Sequence, residues 1–488
     1  MKNYDIIFIH APILSDLESK KKNKMRRGAY IFIPMGVFAI ADYLEREGFG
    51  VKIINYPLER YLNHNWSLSD YLKTIEFKIC AIDLHWIHNS FGAIHVINEV
   101  KKVNPDAKIV FGGYSASYYH TELLKYYKKI DCIVKGDGEV PLLQYTKAIK
   151  NNFRSLESIP NITYRNNRNH IKVNKISYTA KTLENLNFTN ISLLKNHRKY
   201  IEDSRKIMGI SFNLGIGRGC PYNCPLCGGG QRAQERISGR KNVILRSPEK
   251  VIMDIKIILD NYNINSLFFG HGSYPANLSY WKKLFQLIRK ENFDLSADLE
   301  IWRLPFPRDM WYEYYKTFNR RHSSISISPR TTSSKVHQKI AKICDPTFSF
   351  PKNQIQDLIK NANLFRIPLR IWLTLGYPFQ TYLDVLKDFQ FTFKCFLKYG
   401  TSKVRPITIM NEPYYIFPGS PAHENPENFK VYLNHKSLLQ VINSFKQSKI
   451  SFFYNVINYD NQYFSGKTIQ NLNKLLFLCA APMFLTGS

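Results

Sequence analysis

Strand-like and helix-like hydrophobic patterns alternate along the first 150 residues. Short apolar runs such as DIIFIHA at 5–11 and KICAIDL at 78–84 are typical of strands buried on both faces of a sheet. Between them, stretches such as FGAIHVINEVKKV at 91–103 place apolar residues every three or four positions, which predicts amphipathic helices. This order predicts a doubly wound α/β domain with a parallel sheet. Such sheets bind ligands beyond the carboxyl ends of their strands.

Between residues 151 and 208 the alternation stops. The stretch is rich in Asn and Lys, and the pattern ITYR-NNRN-HIKV at 162–173 predicts a hairpin. We therefore predict a first domain at 1–150, followed by a linker with a small β element at 151–208.

A second alternation of strands and helices occupies residues 209–417. Six β/α units in series predict a partial (β/α)6 barrel, with its chemistry on the loops that follow the strands. Residues 418–488 are predicted to form a mostly helical tail. The predicted barrel strands lie at 211–217, 266–270, 295–300, 323–328, 369–376 and 404–410.

The composition is that of a globular chain, and it leaves the meaning of the charge open. The 488 residues are 44% hydrophobic, which is enough for roughly two to four domains with buried cores. The formal net charge is +30, and the lysines are spread over the whole length, with one tight cluster at 20–27. This excess is either general surface composition or the mark of an anionic partner such as nucleic acid, anionic lipid or acidic peptide.

No stretch of the sequence is long and apolar enough to predict a transmembrane segment. The longest apolar run, 475–485, contains Pro482 and falls short of the roughly 18 residues that a span requires. We interpret it as a docked terminal segment. The opening residues MKNYDIIFIHAPIL carry Asp5 and His10 within their apolar stretch and lack a small-residue cleavage site, so they predict a strand rather than a signal peptide.

Three of the eight cysteines are clustered after the first predicted barrel strand. Cys220, Cys224 and Cys227 have CxxxCxxC spacing, and the other five are scattered, unlike a secreted disulfide framework. Three thiolates on one short loop can bind three corners of a [4Fe–4S] cluster, which leaves one iron open for a further ligand. A structural zinc site needs four ligands, usually in two pairs, and no second pair with suitable spacing is evident.

This triplet resembles the hallmark of the radical S-adenosylmethionine (SAM) superfamily, whose members carry it at the end of the first strand of a partial barrel. The resemblance implies that SAM chelates the open iron and is cleaved by an electron from the cluster to a 5′-deoxyadenosyl radical. It also implies SAM contacts on later loops, where turn formation or packing at the barrel rim is an equal alternative. The implied contacts are Tyr222, Gly270, His271, Gly272, Ser273, Ser326, Ser328, Arg330 and Gly376.

Charged residues end the third predicted barrel strand. Asp298, Glu300 and Arg303 could point into the cavity, but we favour salt bridges at the rim. None of these residues identifies the substrate, so a small molecule, a lipid and a peptide all stay open.

The glycines of the first domain do not fit a dinucleotide site. Such a site would place GxGxxG after the first strand, where this sequence has His10-Ala11-Pro12 and a long polar loop. Glycine-rich loops instead follow the fourth and fifth strands, at 112–117 and 136–139. Small residues and backbone amides there could line a groove for a long, phosphate-bearing ligand.

This pair of loops resembles the Rossmann-like cobalamin-binding domains that precede many radical SAM domains. Those typically show Pro-x-Gly at the first helix, a GG loop and a GEGE-like loop. All three occur here in order, with Pro34-Met35-Gly36 first and Asp137 in place of the first Glu. The resemblance implies a cobalamin site at Pro12, His85, Trp86, His88, Gly112, Gly113, Ser115, Ser117, Gly136, Gly138 and Glu139.

One departure concerns the face of the cobalt. Many cobalamin proteins carry DxHxxG after the first strand, so that its histidine ligates the metal. Here Asp83-Leu84-His85 follows the third strand, and His88 stands where glycine is expected. His85, Trp86 and His88 are therefore candidates for that face, with ordinary packing at a strand end as the alternative.

With both cofactors, the resemblance implies methyl transfer from SAM through methylcobalamin to an unactivated carbon or phosphorus, with cyclisation or rearrangement as an alternative. It also implies a cytoplasmic enzyme with an electron donor such as flavodoxin or ferredoxin. RNA modification is disfavoured, because the methylthiotransferases that act on tRNA bind a second cluster, and this first domain has only Cys80 and Cys132. A non-catalytic cobalamin or iron–sulfur protein is a third hypothesis, which leaves the SAM-like motifs unexplained.

Overall fold

The computed structural model of the chain describes residues 2–13, 17, 32–151, 155–208, 212–399, 407–411, 414–447 and 457–472. The basic segment at 20–27 and the apolar run at 475–485 lie outside these residues. Among the helices described, none combines the length and apolar character needed to cross a membrane.

Seventeen strands are described, most of them where the hydrophobic runs predict them. In chain order they are β1 (Lys2–His10), β2 (Val51–Asn55), β3 (Ile75–Asp83), β4 (Lys108–Gly112), β5 (Cys132–Val134), β6 (Ile162–Arg165), β7 (Ile171–Val173), β8 (Phe212–Leu214), β9 (Gly217–Arg218), β10 (Ile244–Leu245), β11 (Ser266–Phe269), β12 (Ser296–Ile301), β13 (Ser324–Arg330), β14 (Leu369–Leu373), β15 (Ile407–Asn411), β16 (Val431–Leu433) and β17 (Tyr459–Asn461).

The helices alternate with these strands. In chain order they are α1 (Met35–Arg46), α2 (Tyr56–Leu62), α3 (Leu68–Leu72), α4 (Ser90–Val103), α5 (Tyr114–Tyr118), α6 (His120–Tyr126), α7 (Glu139–Lys150), α8 (His197–Met208), α9 (Gln231–Ser238), α10 (Pro248–Tyr262), α11 (Leu278–Lys290), α12 (Arg308–Thr317), α13 (Ser334–Ile343), α14 (Lys352–Phe365), α15 (Tyr382–Tyr399), α16 (Pro421–Glu424) and α17 (Leu438–Gln447).

The chain divides into two compact units that do not follow simple sequence blocks. The first unit comprises Met1–Met208, Gln231–Leu245 and His435–Phe453. The second comprises Gly209–Gly230, Arg246–Asn434 and Tyr454–Ser488. Two short segments that sequence analysis assigns to the barrel and to the tail are thus grouped with the first unit.

The first unit is built on a seven-stranded sheet in the order β2-β1-β3-β4-β5-β6-β7. Strands β1 to β5 are parallel, and their apolar side chains are buried on both faces. From β1 the chain adds β2 on one side and β3 on the other, so the topological switch point lies between β1 and β3. The doubly wound α/β fold predicted from the sequence is confirmed.

The predicted hairpin forms, but as part of this sheet rather than as a separate element. Strand β6 pairs antiparallel with β5, with Ile162 opposite Val134, and β7 pairs antiparallel with β6. Strand β5 would otherwise present an open row of backbone donors and acceptors at the sheet edge. The hairpin extends the sheet and covers that edge.

The second unit contains six parallel strands in the order β15-β14-β13-β12-β11-β8, which is the predicted partial barrel. Helix α11 shows how the barrel helices are packed, because Trp281, Leu284, Phe285 and Ile288 are all buried on one stripe. After the barrel, β16 and β17 form a short antiparallel ribbon. Strands of three residues are too short to stand out in a tail that the sequence predicts as mostly helical.

A buried ion pair connects the first barrel strand to helix α10. The Arg246 guanidinium lies 2.5 Å from the Asp254 carboxylate, and both side chains are almost inaccessible to solvent. The same guanidinium donates to the carbonyl of Gly215, directly after β8, at 3.0 Å. The cysteine loop follows this end of β8, so the Arg246–Asp254 pair holds the backbone at the start of the loop in place.

Replacing Asp254 with Ala is expected to destabilise the second unit by about 3–5 kcal/mol, because it leaves the Arg246 charge buried without its counter-ion. The urea midpoint of unfolding measures this. Glu249→Ala is the matched control, because Glu249 lies on α10 like Asp254 but forms an exposed ion pair, with Lys283 of α11. This substitution should leave the midpoint nearly unchanged. Equal midpoints for both variants would contradict the assignment.

Candidate functional site

The cysteine triplet lies on one loop of the second unit. Cys220, Cys224 and Cys227 are free thiols at intermediate exposure. The Cys227 amide donates to the Cys224 carbonyl at 3.2 Å, which closes the turn between the last two cysteines. The Phe417 amide donates to the Leu226 carbonyl at 3.1 Å, so the loop is also held from a distant part of the chain. The fold therefore presents three thiols on a well-anchored loop.

Burial makes two of these thiols, Cys220 and Cys227, poor thiolates without a bound cation. It raises the pKa of Cys227 to about 11 and that of Cys220 still further, and neighbouring thiols of the triplet add to both effects. No group of three or more His, Cys, Asp or Glu side chains among the described residues is arranged to hold a single metal ion. The CxxxCxxC spacing of the three thiols is the basis for expecting an iron–sulfur cluster rather than a structural zinc site, which needs four ligands.

Arg303 places a fixed positive charge beside the triplet. Its Nη2 lies 3.3 Å from the Cys224 sulfur and 2.5 Å from the Asp345 carboxylate. Its Nη1 donates to the Trp302 carbonyl at 2.7 Å, and the guanidinium lies over the Tyr222 ring at 4.1 Å. The expected salt bridge is present, but the group also faces the cysteines. A buried guanidinium here offsets the negative charge of a thiolate-bound cluster.

The turn after β11 is packed against the end of β12. A Cβ on Gly272 would lie 2.2 Å from the Trp302 ring, so only glycine fits there. Burial lowers the pKa of His271 to about 4, with smaller opposing effects from the carbonyls of Gly272 and Gly219, so its imidazole is neutral at pH 7. The hydroxyl of Ser273 is fully buried and makes no hydrogen bond within the described part of the chain. Such a buried polar atom is suited to a ligand contact.

The ends of β12 and β13 bring further polar groups near the triplet. Glu300 accepts from the Trp302 indole at 3.2 Å and from the Ser328 hydroxyl at 3.5 Å. Glu300 and Arg330 both influence the pKa of Cys227, so they lie close to the cysteine loop. The Arg330 guanidinium lies 4.2 Å from the centre of the Tyr414 ring. Glu300, expected at the rim, and Arg330, expected around SAM, thus lie near the cysteine loop.

Three other predicted positions are buried or make internal contacts. Ser326 is buried within β13, and at the rim Asp298 pairs with Arg370 at 2.6 Å, as expected. A Cβ on Gly376 would lie 2.3 Å from Ile469, and the Gly376 carbonyl accepts from the Tyr459 hydroxyl at 3.0 Å. The positive φ of 73° at Gly376 adds to the requirement for glycine.

Sequence analysis missed Thr374, which lies directly after β14. Its hydroxyl is buried and, like that of Ser273, has no hydrogen-bond partner among the described residues. The available signal was a polar residue near the end of the apolar run LRIWLTLG at 369–376. Thr374 is therefore an additional candidate for a ligand contact in the barrel.

In the first unit, three strand-end loops are joined by hydrogen bonds. The Ser115 hydroxyl donates to the His85 carbonyl at 2.9 Å. The Ser117 hydroxyl donates to the Gly113 carbonyl at 2.8 Å and accepts from the Gly136 amide at 3.0 Å. The loops after β3, β4 and β5 thus form one surface at the carboxyl edge of the sheet, where doubly wound folds bind their ligands.

The three candidates for the cobalt face differ in exposure. The side chain of His85 is exposed to solvent, and desolvation by the surrounding protein lowers its pKa. Trp86 is half-buried, with its ring 5.0 Å from that of His85. His88 is buried beside Phe445, and burial lowers its pKa to about 3. The geometry favours His85 and Trp86 over His88 as groove residues.

A histidine–aspartate pair at the switch point was also missed. His10 ends β1 and Asp83 ends β3, and the two residues are opposite each other in the strand register. The imidazole Nδ1 donates to the Asp83 carboxylate, with distances of 2.8 and 3.1 Å to its two oxygens. A carboxylate held in this way fixes the tautomer and orientation of the ring. Sequence analysis used His10 only to exclude a signal peptide and a dinucleotide site.

The remaining predicted cobalamin residues have close internal neighbours. A Cβ on Gly92 of α4 would overlap the Pro12 carbonyl, so glycine allows the loop after β1 to approach that helix. Gly138 lies against Ile40, and Glu139 is buried at the start of α7. Asp137, which replaces the family's Glu, forms a buried ion pair with Arg240 and accepts from the Ala180 amide at 2.8 Å.

Comparison with known proteins agrees with this architecture. Residues 25–145 match the model of the B12 binding domain family. An uncharacterized methyltransferase of Pyrococcus horikoshii is 22% identical over 381 residues, which cover 75% of this chain and 74% of that protein. The anaerobic magnesium-protoporphyrin IX monomethyl ester cyclase of Synechocystis is 23% identical over 196 residues, covering 39% of this chain and 36% of the cyclase.

Solved structures resemble the chain over nearly its whole length. The radical S-adenosylmethionine methyltransferase TsrM from Kitasatospora setae, with cobalamin and a [4Fe–4S] cluster bound, aligns with a TM-score of 0.67 at 14% identity, covering 95% of this chain and 84% of TsrM. The cobalamin-dependent S-adenosylmethionine radical enzyme OxsB aligns with a TM-score of 0.61 at 15% identity, covering 99% of this chain and 67% of OxsB. The chain therefore has the fold of the cobalamin-dependent radical SAM enzymes, with a B12-binding domain at 25–145.

The loop surface of the first unit depends on one glycine. Gly113 has φ 101° and ψ 177°, a conformation almost restricted to glycine, and an added Cβ would lie 2.8 Å from the His85 amide nitrogen. We expect Gly113→Ala to destabilise the first unit by about 1–3 kcal/mol. Gly112→Ala is the matched control, because nothing lies within 4 Å of its added Cβ. Urea unfolding of both variants measures the difference, and an unchanged midpoint for Gly113→Ala would refute it.

Proposed function

We propose that the protein is a cobalamin-dependent radical SAM methyltransferase that moves a methyl group from SAM to an unactivated carbon or phosphorus of its substrate. One observation carries the proposal: a chain with a B12-binding domain also presents three free thiols with CxxxCxxC spacing on the loop after the first barrel strand. The methyltransferase relative and the fold shared with TsrM support the transfer of a methyl group.

In this proposal the cysteine loop holds the cluster and leaves one iron for SAM. When bound, the cluster and cobalamin would supply one-electron cleavage of SAM and methyl transfer. Cys220, Cys224 and Cys227 would hold the cluster, and Arg303 would offset their negative charge. The turn with His271 and Ser273 and the end of β13 with Ser328 and Arg330 position SAM. Neutral His271 accepts or donates one hydrogen bond without adding charge beside the sulfonium.

The first unit supplies the cobalamin groove in this proposal. His85 and Trp86 face the corrin from the loop after β3, and the surface joined by Ser117 takes the nucleotide tail through backbone amides. The His10–Asp83 pair lies beside this groove at the switch point and holds the end of β1 in place. An electron donor such as flavodoxin or ferredoxin reduces the cluster, and we place the enzyme in the cytoplasm because such clusters are sensitive to oxygen.

Methyl transfer is tested with anaerobically reconstituted full-length protein, hydroxocobalamin, a chemical reductant and SAM labelled in its methyl group. We expect label in the cobalamin fraction together with 5′-deoxyadenosine from SAM cleavage. Label found only in SAM and in the methionine released by its cleavage would exclude methyl transfer and favour cyclisation or rearrangement. Neither cleavage nor transfer would favour a non-catalytic cobalamin protein.

The cluster assignment predicts the metal content of cysteine variants. Wild-type protein prepared without oxygen should contain about four irons and four acid-labile sulfides per chain. Cys224→Ala should lose most of both, because removing one thiolate leaves the cluster with too few ligands. Cys395→Ala, which removes a buried thiol of α15, is the control and should retain the full content. About one zinc per chain and no sulfide in the wild type would contradict the assignment.

Cyclisation is the second candidate reaction, because part of the chain resembles the magnesium-protoporphyrin IX monomethyl ester cyclases. The match covers 39% of this chain, so it supports the cyclase activity less than the longer match supports methyl transfer. The fate of the methyl label separates the two.

A further inference from the structure

Helix α15 differs from the other barrel helices in leaving several large apolar side chains exposed. Its inward side buries Asp384 and Asp388 beside Val385 and Cys395, while four large apolar side chains are 52–60% exposed on its outward side. Helix α11 of the same unit shows the ordinary arrangement, with its aromatic and aliphatic side chains buried. These four outward residues are Leu383, Leu386, Phe393 and Leu397, and Tyr382 and Phe396 of α15 are exposed as well.

Polar contacts hold the inward side of α15 on the barrel. The Asp388 carboxylate accepts from the Thr331 hydroxyl at 2.8 Å, the Thr332 amide at 2.6 Å and the Gln380 amide at 2.8 Å. Asp384 accepts from the Thr381 amide and hydroxyl at 3.0 and 2.7 Å. The helix is therefore fixed without burying its large apolar side chains. An exposed apolar stripe of this kind marks an interaction surface.

The stripe is bordered by lysines. Positions 383, 386, 393 and 397 fall on one side of an α-helix, because they are spaced by multiples of about 3.6 residues. Lys387, Lys394 and Lys398 are exposed and form a row along one edge of that side. Both acidic residues of α15 point inward, so its outward surface is apolar and positively charged.

We propose that the outward face of α15 docks on the surface of an anionic lipid bilayer. Helix α15 has 18 residues and is about 27 Å long. Helices that carry apolar and aromatic side chains beside lysines insert at the boundary between lipid headgroups and acyl chains. The formal net charge of +30 attracts the whole chain to such a surface.

Charge decides between this occupant and two others. A second copy of the chain would bring its own Lys387, Lys394 and Lys398 to the same face, and like charges would oppose that contact. The apolar segment of this chain at 475–485, with its flanking residues 473–488, contains Lys474 and no acidic residue. Neither a second copy nor the segment 473–488 would bring negative charge to the three lysines. The anionic headgroups of phosphatidylglycerol would.

The test is flotation of the full-length protein with large unilamellar vesicles. We expect it to float with vesicles of equal parts phosphatidylcholine and phosphatidylglycerol and to stay below vesicles of phosphatidylcholine alone. Added salt should weaken binding, since the screening length falls from about 10 Å at 0.1 M to about 3 Å at 1 M. Failure to float with the anionic vesicles would overturn the proposal.

Two sets of substitutions separate the apolar and charged contributions. The double variant Leu386→Gln/Phe393→Gln should lower the partition coefficient at least about tenfold. The triple variant Lys387→Gln/Lys394→Gln/Lys398→Gln should lower it about fivefold for each lysine. Circular dichroism melting confirms that both variants remain folded, which is expected for exposed positions.

The matched control removes apolar side chains of equal exposure elsewhere on the second unit. Met253 and Leu364 are 53% and 57% exposed, and Met253→Gln/Leu364→Gln should bind vesicles like the wild type. Equal loss in the control would overturn the assignment to α15. A second result would also overturn the proposal: the wild type is a dimer in light scattering and does not bind vesicles, and Leu386→Gln/Phe393→Gln is a monomer. The outward face of α15 would then be a contact between two copies.

Discussion

The contact between Arg303 and Cys224 is the interaction on which the second unit's chemistry depends. On the cysteine loop, Cys220 and Cys227 resist ionisation, because their negative charges would lose hydration and be repelled by neighbouring thiolates. A guanidinium cannot lose its proton at physiological pH, so Arg303 provides a permanent counter-charge at 3.3 Å. Asp345 holds the guanidinium in place, and Tyr222 covers its face.

The first unit solves a different problem, which is to bring several loops to one edge of a parallel sheet. Parallel strands end at the same edge, so the loops after β3, β4 and β5 meet there without long excursions. Ser117 then joins two of these loops, and glycine at position 113 lets the third approach closely. The result is a surface made largely of backbone groups, which suits a large ligand that carries phosphate.

Helix α15 shows that a barrel helix can bury carboxylates on its inward side, here beside Val385 and Cys395. Asp388 adds directed hydrogen bonds from Thr331, Thr332 and Gln380. Because these bonds are satisfied internally, burial of the two carboxylates is tolerated. The apolar side chains of α15 are then available for contacts outside the barrel.

The sequence by itself determined the order of strands and helices, the six-unit barrel, the hairpin and the cysteine loop. These follow from local periodicity and from spacing within a few residues, as Cys220 to Cys227 illustrate. It did not determine that the hairpin joins the sheet at β5, because any open strand edge could have accepted it.

Only the tertiary structure placed Arg303 against Cys224, 79 positions away, and His10 against Asp83, 73 positions away. Those contacts depend on which strands are neighbours and on their register. Shifting the register of a strand by one residue would turn these side chains to the opposite face of the sheet. The hydrophobic pattern within one strand also does not specify which strand it pairs with. The loops after the strands depend on the same register, so the residues of the site come together only in the folded sheet.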